Sequence, residues 1–292
     1  MRLWTITLGT LGLLAAGGAA LPRSPAPAMK VAPLVAEMSQ AVTLPAVTRH
    51  IATAGGVAAL PPGGVATQGN TCPAEMVLVE GEYCTEVRHD CVKWLDDPKL
   101  PYARCKEYAQ PARCVGQRVA QRFCIDRHEY TAPGEDKPLN WQSFVTGSRL
   151  CKSLGKRICT ESEWNFACEG EEMRPYPYGW TREPKCNQDR EDLYEPNPRR
   201  QILKDNRMAS EALSECVSPF GVYNMVGNLD EPVLREIARF NPPYRNGLKG
   251  GWWMAARNRC RPATTKHDDH YNDIQVGVRC CGDLPGVPGD KG

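Results

Sequence analysis

Fourteen cysteines, all falling between Cys72 and Cys281, constrain this 292-residue chain more than any other feature. So many thiols are rarely kept reduced in the cytosol, whereas an oxidising compartment pairs them. The cysteines therefore mark one disulfide-rich domain, expected over residues 72–283. Their even number permits complete pairing, but sequence alone does not reveal the connectivity. The adjacent Cys280 and Cys281 are expected to take two different partners, because a vicinal bond strains the peptide between them.

The N-terminus agrees with that compartment. Arg2 precedes the uncharged run LWTITLGTLGLLAAGGAA, and Gly18 and Ala20 stand at the small-residue positions of a cleavage site. Residues 1–20 read as a signal peptide, which makes the mature protein secreted or periplasmic. The run is too short and too small at its end for a membrane anchor. Residues 21–71, rich in Ala, Pro, Gly and Val, read as a disordered tether, and residues 284–292 as a flexible Gly/Pro tail. The net charge of +2 offers no field for nucleic acid or an anionic membrane. A monomer that does not span the membrane is expected.

Regular structure looks sparse. MVLVEGEY (Met76 to Tyr83) and RFCIDRHEYT (Arg122 to Thr131) read as strands. NWQSFVTGSRLCKSLG reads as a helix capped by Asn140, with Trp141, Phe144, Val145, Cys151 and Leu154 on one face and Gly155 as its stop. A second helix follows Thr160, which forms a capping box with Glu163; it turns Trp164, Ala167 and Cys168 inward and ends at Gly170.

Four pieces stand in order: CIDRHEYT; CKSLGKRICTESEWNFACEG with PYPYG; SPFGVYNMVGNLDE; and GLKGGWW, RCRPAT and VGVRCC. This ordered set resembles the sulfatase-modifying-factor family, whose founding activity is that of the formylglycine-generating enzyme. The resemblance spans about Met76 to Cys281. It implies an irregular α+β fold related to C-type-lectin-like domains. It also implies oxygen-dependent oxidation of a substrate cysteine, through two closely spaced thiolates that hold copper(I) beyond a Gly-Gly-Ser turn.

The chain departs from the family at that turn. Trp252 stands where the family has Ser, Ala255 where it has the first cysteine, and Cys260 is the one candidate thiol left. A two-thiolate copper site cannot be built there, so copper is not expected. By its context Cys260 fits the family's structural cysteine, and the resemblance then implies the pairs Cys168–Cys260 and Cys151–Cys280. The turn lines the family's cleft, which makes Trp252, Trp253, Arg257 and Arg259 candidates to hold a peptide or glycan.

The resemblance also implies a calcium loop formed by Asn224, Gly227, Leu229 and Glu231, against the alternative of a hydrogen-bonded turn. A second family calcium loop would begin near Asn187. His267, Asp268, Asp269 and His270 read as a solvated turn, and iron is not expected. Three functions remain open: a non-catalytic binding or scaffold module, an oxidoreductase of the formylglycine-generating type with rearranged thiol or metal chemistry, and a structural protein of the cell envelope.

Overall fold

The computed structural model describes residues 71–197, 199–236, 244–256 and 258–284. The segments read as signal peptide, tether and tail therefore lie outside the described residues, apart from Thr71 and Leu284, and so does Arg257.

The domain is built on two long antiparallel strands. β1 (Met76–Cys84) and β6 (Arg118–Asp126) pair over nine residues, from Met76 opposite Asp126 to Cys84 opposite Arg118. Val77, Val79, Phe123 and Ile125 bury the core end of this ribbon, whereas the Arg118–Ala120 end is exposed. Between the two strands the chain makes two excursions. β2 (Val87–Arg88) pairs with β5 (Arg113–Cys114), and β3 (Cys91–Trp94) pairs with β4 (Cys105–Tyr108) across a register shift. The predicted strand at Arg122–Thr131 thus begins earlier and ends at Asp126.

Two short helices pack on this frame. α1 (Phe144–Ser153) is capped by Ser143 rather than Asn140: the Ser143 hydroxyl accepts from the Thr146 N–H, and Thr146 reciprocates. Trp141 lies outside the helix with φ 57° and its ring exposed, and Asn140 bonds the Ile274 carbonyl instead. α2 (Glu161–Glu169) has the expected Thr160–Glu163 capping box and turns Trp164, Ala167 and Cys168 fully inward. Between the helices runs β7 (Arg157–Ile158).

The remaining strands close the domain. β8 (Glu231–Leu234), β9 (Asn246–Lys249) and β10 (Ala263–Thr264) form a sheet in the order β10-β9-β8. Pro232 is tolerated because β8 is an edge strand of that sheet. β11 (Cys280–Gly282) inserts between β6 and β7 to complete a sheet ordered β1-β6-β11-β7. The main core gathers Trp164, Phe166, Ile125, Met225, Val226 and Val233 beneath α2. The fold is thus α+β, irregular and low in regular structure.

All fourteen cysteines are bonded, as Cys72–Cys124, Cys84–Cys114, Cys91–Cys105, Cys151–Cys280, Cys159–Cys281, Cys168–Cys260 and Cys186–Cys216. Seven bonds of this kind require an oxidising compartment. Among the described residues no helix is long and apolar enough to cross a membrane.

Candidate ligand cleft

The turn after β9 is dictated by its glycines. Gly250 and Gly251 both have φ near +77°, at 79° and 75°. A side chain on Gly250 would come within 2.8 Å of the Met225 carbonyl oxygen, and one on Gly251 within 2.6 Å of the Asn258 amide. The backbone therefore packs too tightly for any other residue and swings the next two side chains apart.

Those two are Trp252 and Trp253, whose rings meet edge to face at 5.2 Å. Trp253 is completely buried, and its carbonyl accepts from the Arg190 N–H at 2.9 Å. It has no face for a ligand. Trp252 is only partly buried and lines a cavity of about 470 Å³. Met254, Ala255, Ala256 and the 74% exposed Tyr102 also line it, with Asp96, Arg104 and Asp230 as its charged groups.

The loop is held by one amide and one ion network. Asn258, fully buried, donates to the Trp252 carbonyl at 2.5 Å and accepts from the Ala256 N–H at 2.9 Å. It also accepts from Arg182 at 3.3 Å. Arg182 grips Asp189 through two bonds of 2.7 Å, and Asp189 reaches Arg104 at 3.3 Å. Arg104 in turn forms a two-pronged pair with Asp96. Burial works against the Asp189 carboxylate, but Arg182 and Arg104 outweigh it and hold its pKa below the ordinary value. Hydrogen bonds from Arg104 keep Asp96 ionised far below the usual range. This chain of charges ties the β3–β4 excursion to the Trp252 loop.

Of the four residues expected to form the cleft, Trp252 alone lines the cavity among those described. Arg259 turns away and donates to the Tyr108 hydroxyl at 2.7 Å, with its guanidinium over that ring. Cys260 is fully buried and bonded to Cys168, so no thiol stands on the loop. Asp96, Tyr102 and Arg104 were not foreseen. They come from the Cys91–Cys105 loop, where the paired cysteines and the run of aromatic and acidic residues were the available signal.

The residues expected to hold calcium sit in a loop tied to its surroundings by hydrogen bonds. Glu231 accepts from Arg279 through both carboxylate oxygens at 2.8 and 2.9 Å, and its Oε2 also accepts from the Trp164 indole at 2.6 Å. Three donors thus occupy the carboxylate, and the guanidinium balances its charge. At Gly227 and Leu229 the expected ligands are backbone oxygens; the Leu229 side chain is buried, and the Gly227 N–H donates to the Gly250 carbonyl at 3.2 Å. Asn224 Oδ1 is buried without a hydrogen-bond partner, while its amide donates to the Ser210 carbonyl at 2.8 Å. Glu129, whose Oε2 accepts from Asn224 and Asn228 at 3.3 and 2.8 Å, has its Oε1 likewise buried without a partner. Asn224, Gly227 and Asn228 of this loop are all at positive φ. Asn187, the other calcium candidate, donates to Asn228 at 2.9 Å and to the Asn206 carbonyl at 2.8 Å.

In the His267–His270 turn, Asp269 binds Arg245 and Asn246, and His267 stacks on Tyr271 at 3.7 Å. Among the described residues no three His, Cys, Asp or Glu side chains are grouped to hold a metal ion.

A family model, described as the sulfatase-modifying factor enzyme 1-like domain, matches residues 104–284. No curated protein shows significant similarity to the chain. Among solved structures, the crystal structure of CarF is similar at 13% identity and a TM-score of 0.47, covering 72% of this chain and 98% of its own. PvdO from Pseudomonas aeruginosa is similar at 13% identity and a TM-score of 0.39, covering 72% of this chain and 94% of its own. Treponema denticola variable protein 1 is similar at 12% identity and a TM-score of 0.38, covering 70% and 99%.

Proposed function

The chain belongs to the family of sulfatase-modifying factor enzyme 1-like domains, and from that premise we propose that it is a non-catalytic, extracytoplasmic binding module. The observation that carries this reading is the Cys168–Cys260 bond. The family's oxidation needs two thiolates after the Gly-Gly turn; this turn is followed by Trp252 and Ala255, and its one cysteine is tied to α2. With all fourteen cysteines bonded, no thiol is left for copper(I) to ligate.

The ligand site of the module is the Trp252 cavity. An aromatic platform shared with Tyr102, with Asp96, Arg104 and Asp230 as charged groups, suits a ligand with a flat apolar face and hydrogen-bonding edges. A peptide or a glycan segment has that chemistry. Delivery through a cleaved signal peptide at residues 1–20 belongs to the same reading and accounts for the oxidised cysteines.

The test is a thiol and copper count on protein purified from its native compartment, joined to a titration. Denatured protein is expected to release no free thiol and no copper, and Trp252 fluorescence to respond saturably to a peptide or glycan panel. Two free thiols with bound copper would establish the oxidase reading instead. A response absent from every panel would leave a structural envelope protein.

A further inference from the structure

Between Asp192 and Asp205 the chain runs out to the surface and back as a narrow antiparallel loop. Tyr194 pairs with Leu203, the Lys204 N–H donates to the Leu193 carbonyl at 2.9 Å, and the Glu195 N–H donates to the Ile202 carbonyl at 2.8 Å. Beyond that last rung Pro196, Asn197, Arg199, Arg200 and Gln201 are all exposed. The Asn197 side-chain oxygen accepts from the Arg199 and Arg200 N–H groups at 2.9 and 3.2 Å, which turns the chain at the tip. Two surface rungs are all that must open for the loop to lie extended in a protease groove.

The tip carries two adjacent positive charges that nothing neutralises. Among the described residues neither the Arg199 nor the Arg200 guanidinium has an ion-pair partner, and from Pro196 to Lys204 the sequence holds no Asp or Glu. Asp192, at the foot of the loop, is engaged by Arg190 and Lys204 at 2.8 Å each. The described residues hold one other adjacent basic pair, Lys156–Arg157, and it is the opposite case. Lys156 binds Asp126 at 2.6 Å, and Arg157, in β7, binds Glu163 at 2.5 Å and Asp283 at 2.8 Å. A protease that reads paired bases through acidic subsites therefore finds the first pair open and the second locked.

Both arms of the loop are anchored. Upstream, the Arg190 N–H donates to the Trp253 carbonyl at 2.9 Å; downstream, the Met208 N–H donates to Asn228 Oδ1 at 2.9 Å. The Cys186–Cys216 bond closes around the loop, and Cys151–Cys280, Cys159–Cys281 and Cys168–Cys260 also join the two sides.

We propose that the Arg200–Gln201 peptide bond is a processing site for a serine endoprotease specific for paired basic residues, and that the cut yields a two-chain molecule held by those four bonds. Water adds across the bond, leaving a carboxylate on Arg200 and an α-amino group on Gln201. Neither piece is released. The Trp252 cavity is kept, since none of its lining residues lies in the loop.

The oxidised full chain is incubated with a subtilisin-type endoprotease of that specificity, and the products are read by mass spectrometry with and without reductant. One cut is expected: the unreduced mass gains one water, and reduction gives a piece ending at Arg200 and a piece beginning at Gln201. Arg199→Gln and Arg200→Gln are each expected to slow the cut about a hundredfold or more, with an unchanged melting temperature. Protein purified from its native compartment is expected to give the same two pieces on reduction. A first cut after Arg157 or after the single base Lys99 overturns the proposal. So does a folded chain that resists an enzyme level which cuts the reduced chain, or native protein that stays one chain on reduction.

Discussion

Glu231 and Arg279 form a buried ion pair, joined through both carboxylate oxygens at 2.8 and 2.9 Å and each at most 1% exposed. The same guanidinium donates to the Asp126 carbonyl at 2.9 Å and the Tyr223 carbonyl at 2.8 Å. One side chain thereby stitches the end of β6, the 223–231 loop and β11.

Glu231→Gln should therefore destabilise the domain by about 3–5 kcal/mol, because it strands a buried guanidinium without its counter-charge. The change is read as the shift of the urea midpoint on oxidised protein. A shift under about 1 kcal/mol would mean that the pair is not closed in solution.

Chelation should leave stability untouched. With Glu231 occupied by Arg279, adding calcium or EDTA is expected to move the melting temperature by nothing measurable. A drop of several degrees with EDTA, reversed by calcium, would show that Asn224 Oδ1 belongs to a cation site after all.

The two tryptophans of the turn should separate cleanly. Trp253→Ala removes a fully buried ring and is expected to cost about 3–5 kcal/mol. Trp252→Ala should cost far less and abolish the fluorescence response to ligand. If both variants lost only stability, the cavity would not be a binding site.

Opening the Cys168–Cys260 bond with a paired serine substitution should cost about 2–4 kcal/mol, below the full loop-closure value because Cys151–Cys280 and Cys159–Cys281 still span the segment in the unfolded chain. The variant should gain no copper, which is checked by metal analysis alongside denaturation.

His89 sets an acid sensitivity. Its ring packs on Tyr108, and its Nε2–H donates to the Met173 carbonyl at 2.7 Å. Burial, aided by Arg259 and Arg261, pushes its pKa down to about 4 from 6.5. The unfolded chain takes up the proton near 6.5 and the folded one only near 4, so stability is lost as pH falls across that window. The loss reaches about 3 kcal/mol. His89→Gln keeps a donor for Met173 and should flatten the urea midpoint between pH 6.5 and 4; an unchanged slope would assign the acid loss to other groups.

What could be read from the sequence was what short range decides. The Thr160–Glu163 box lies within four residues and needs no tertiary help, and the β-branched and aromatic content of MVLVEGEY marks β1. Helix α1 shows the limit: Asn140 and Ser143 are both good caps, and the choice fell to Ser143 because the Ile274 carbonyl claims Asn140. The cleft was half legible. The Gly-Gly-Trp turn announced itself, but the cavity is also lined by Asp96, Tyr102 and Arg104, which only the fold brings alongside. The pairing of Glu231 with Arg279, 48 residues on, was not legible, because only the fold brings the two together.

The placement of β11 has a consequence for how the chain must be made. Cys280 and Cys281 are the partners of Cys151 and Cys159, and their strand is the slat between β6 and β7. As the chain is made from its N-terminus, both earlier thiols must wait for more than a hundred residues, while ten others can already pair among themselves. Native connectivity then depends on keeping Cys151 and Cys159 uncommitted, or on reshuffling them afterwards, so this domain's folding yield should track the thiol–disulfide isomerase capacity of its host compartment.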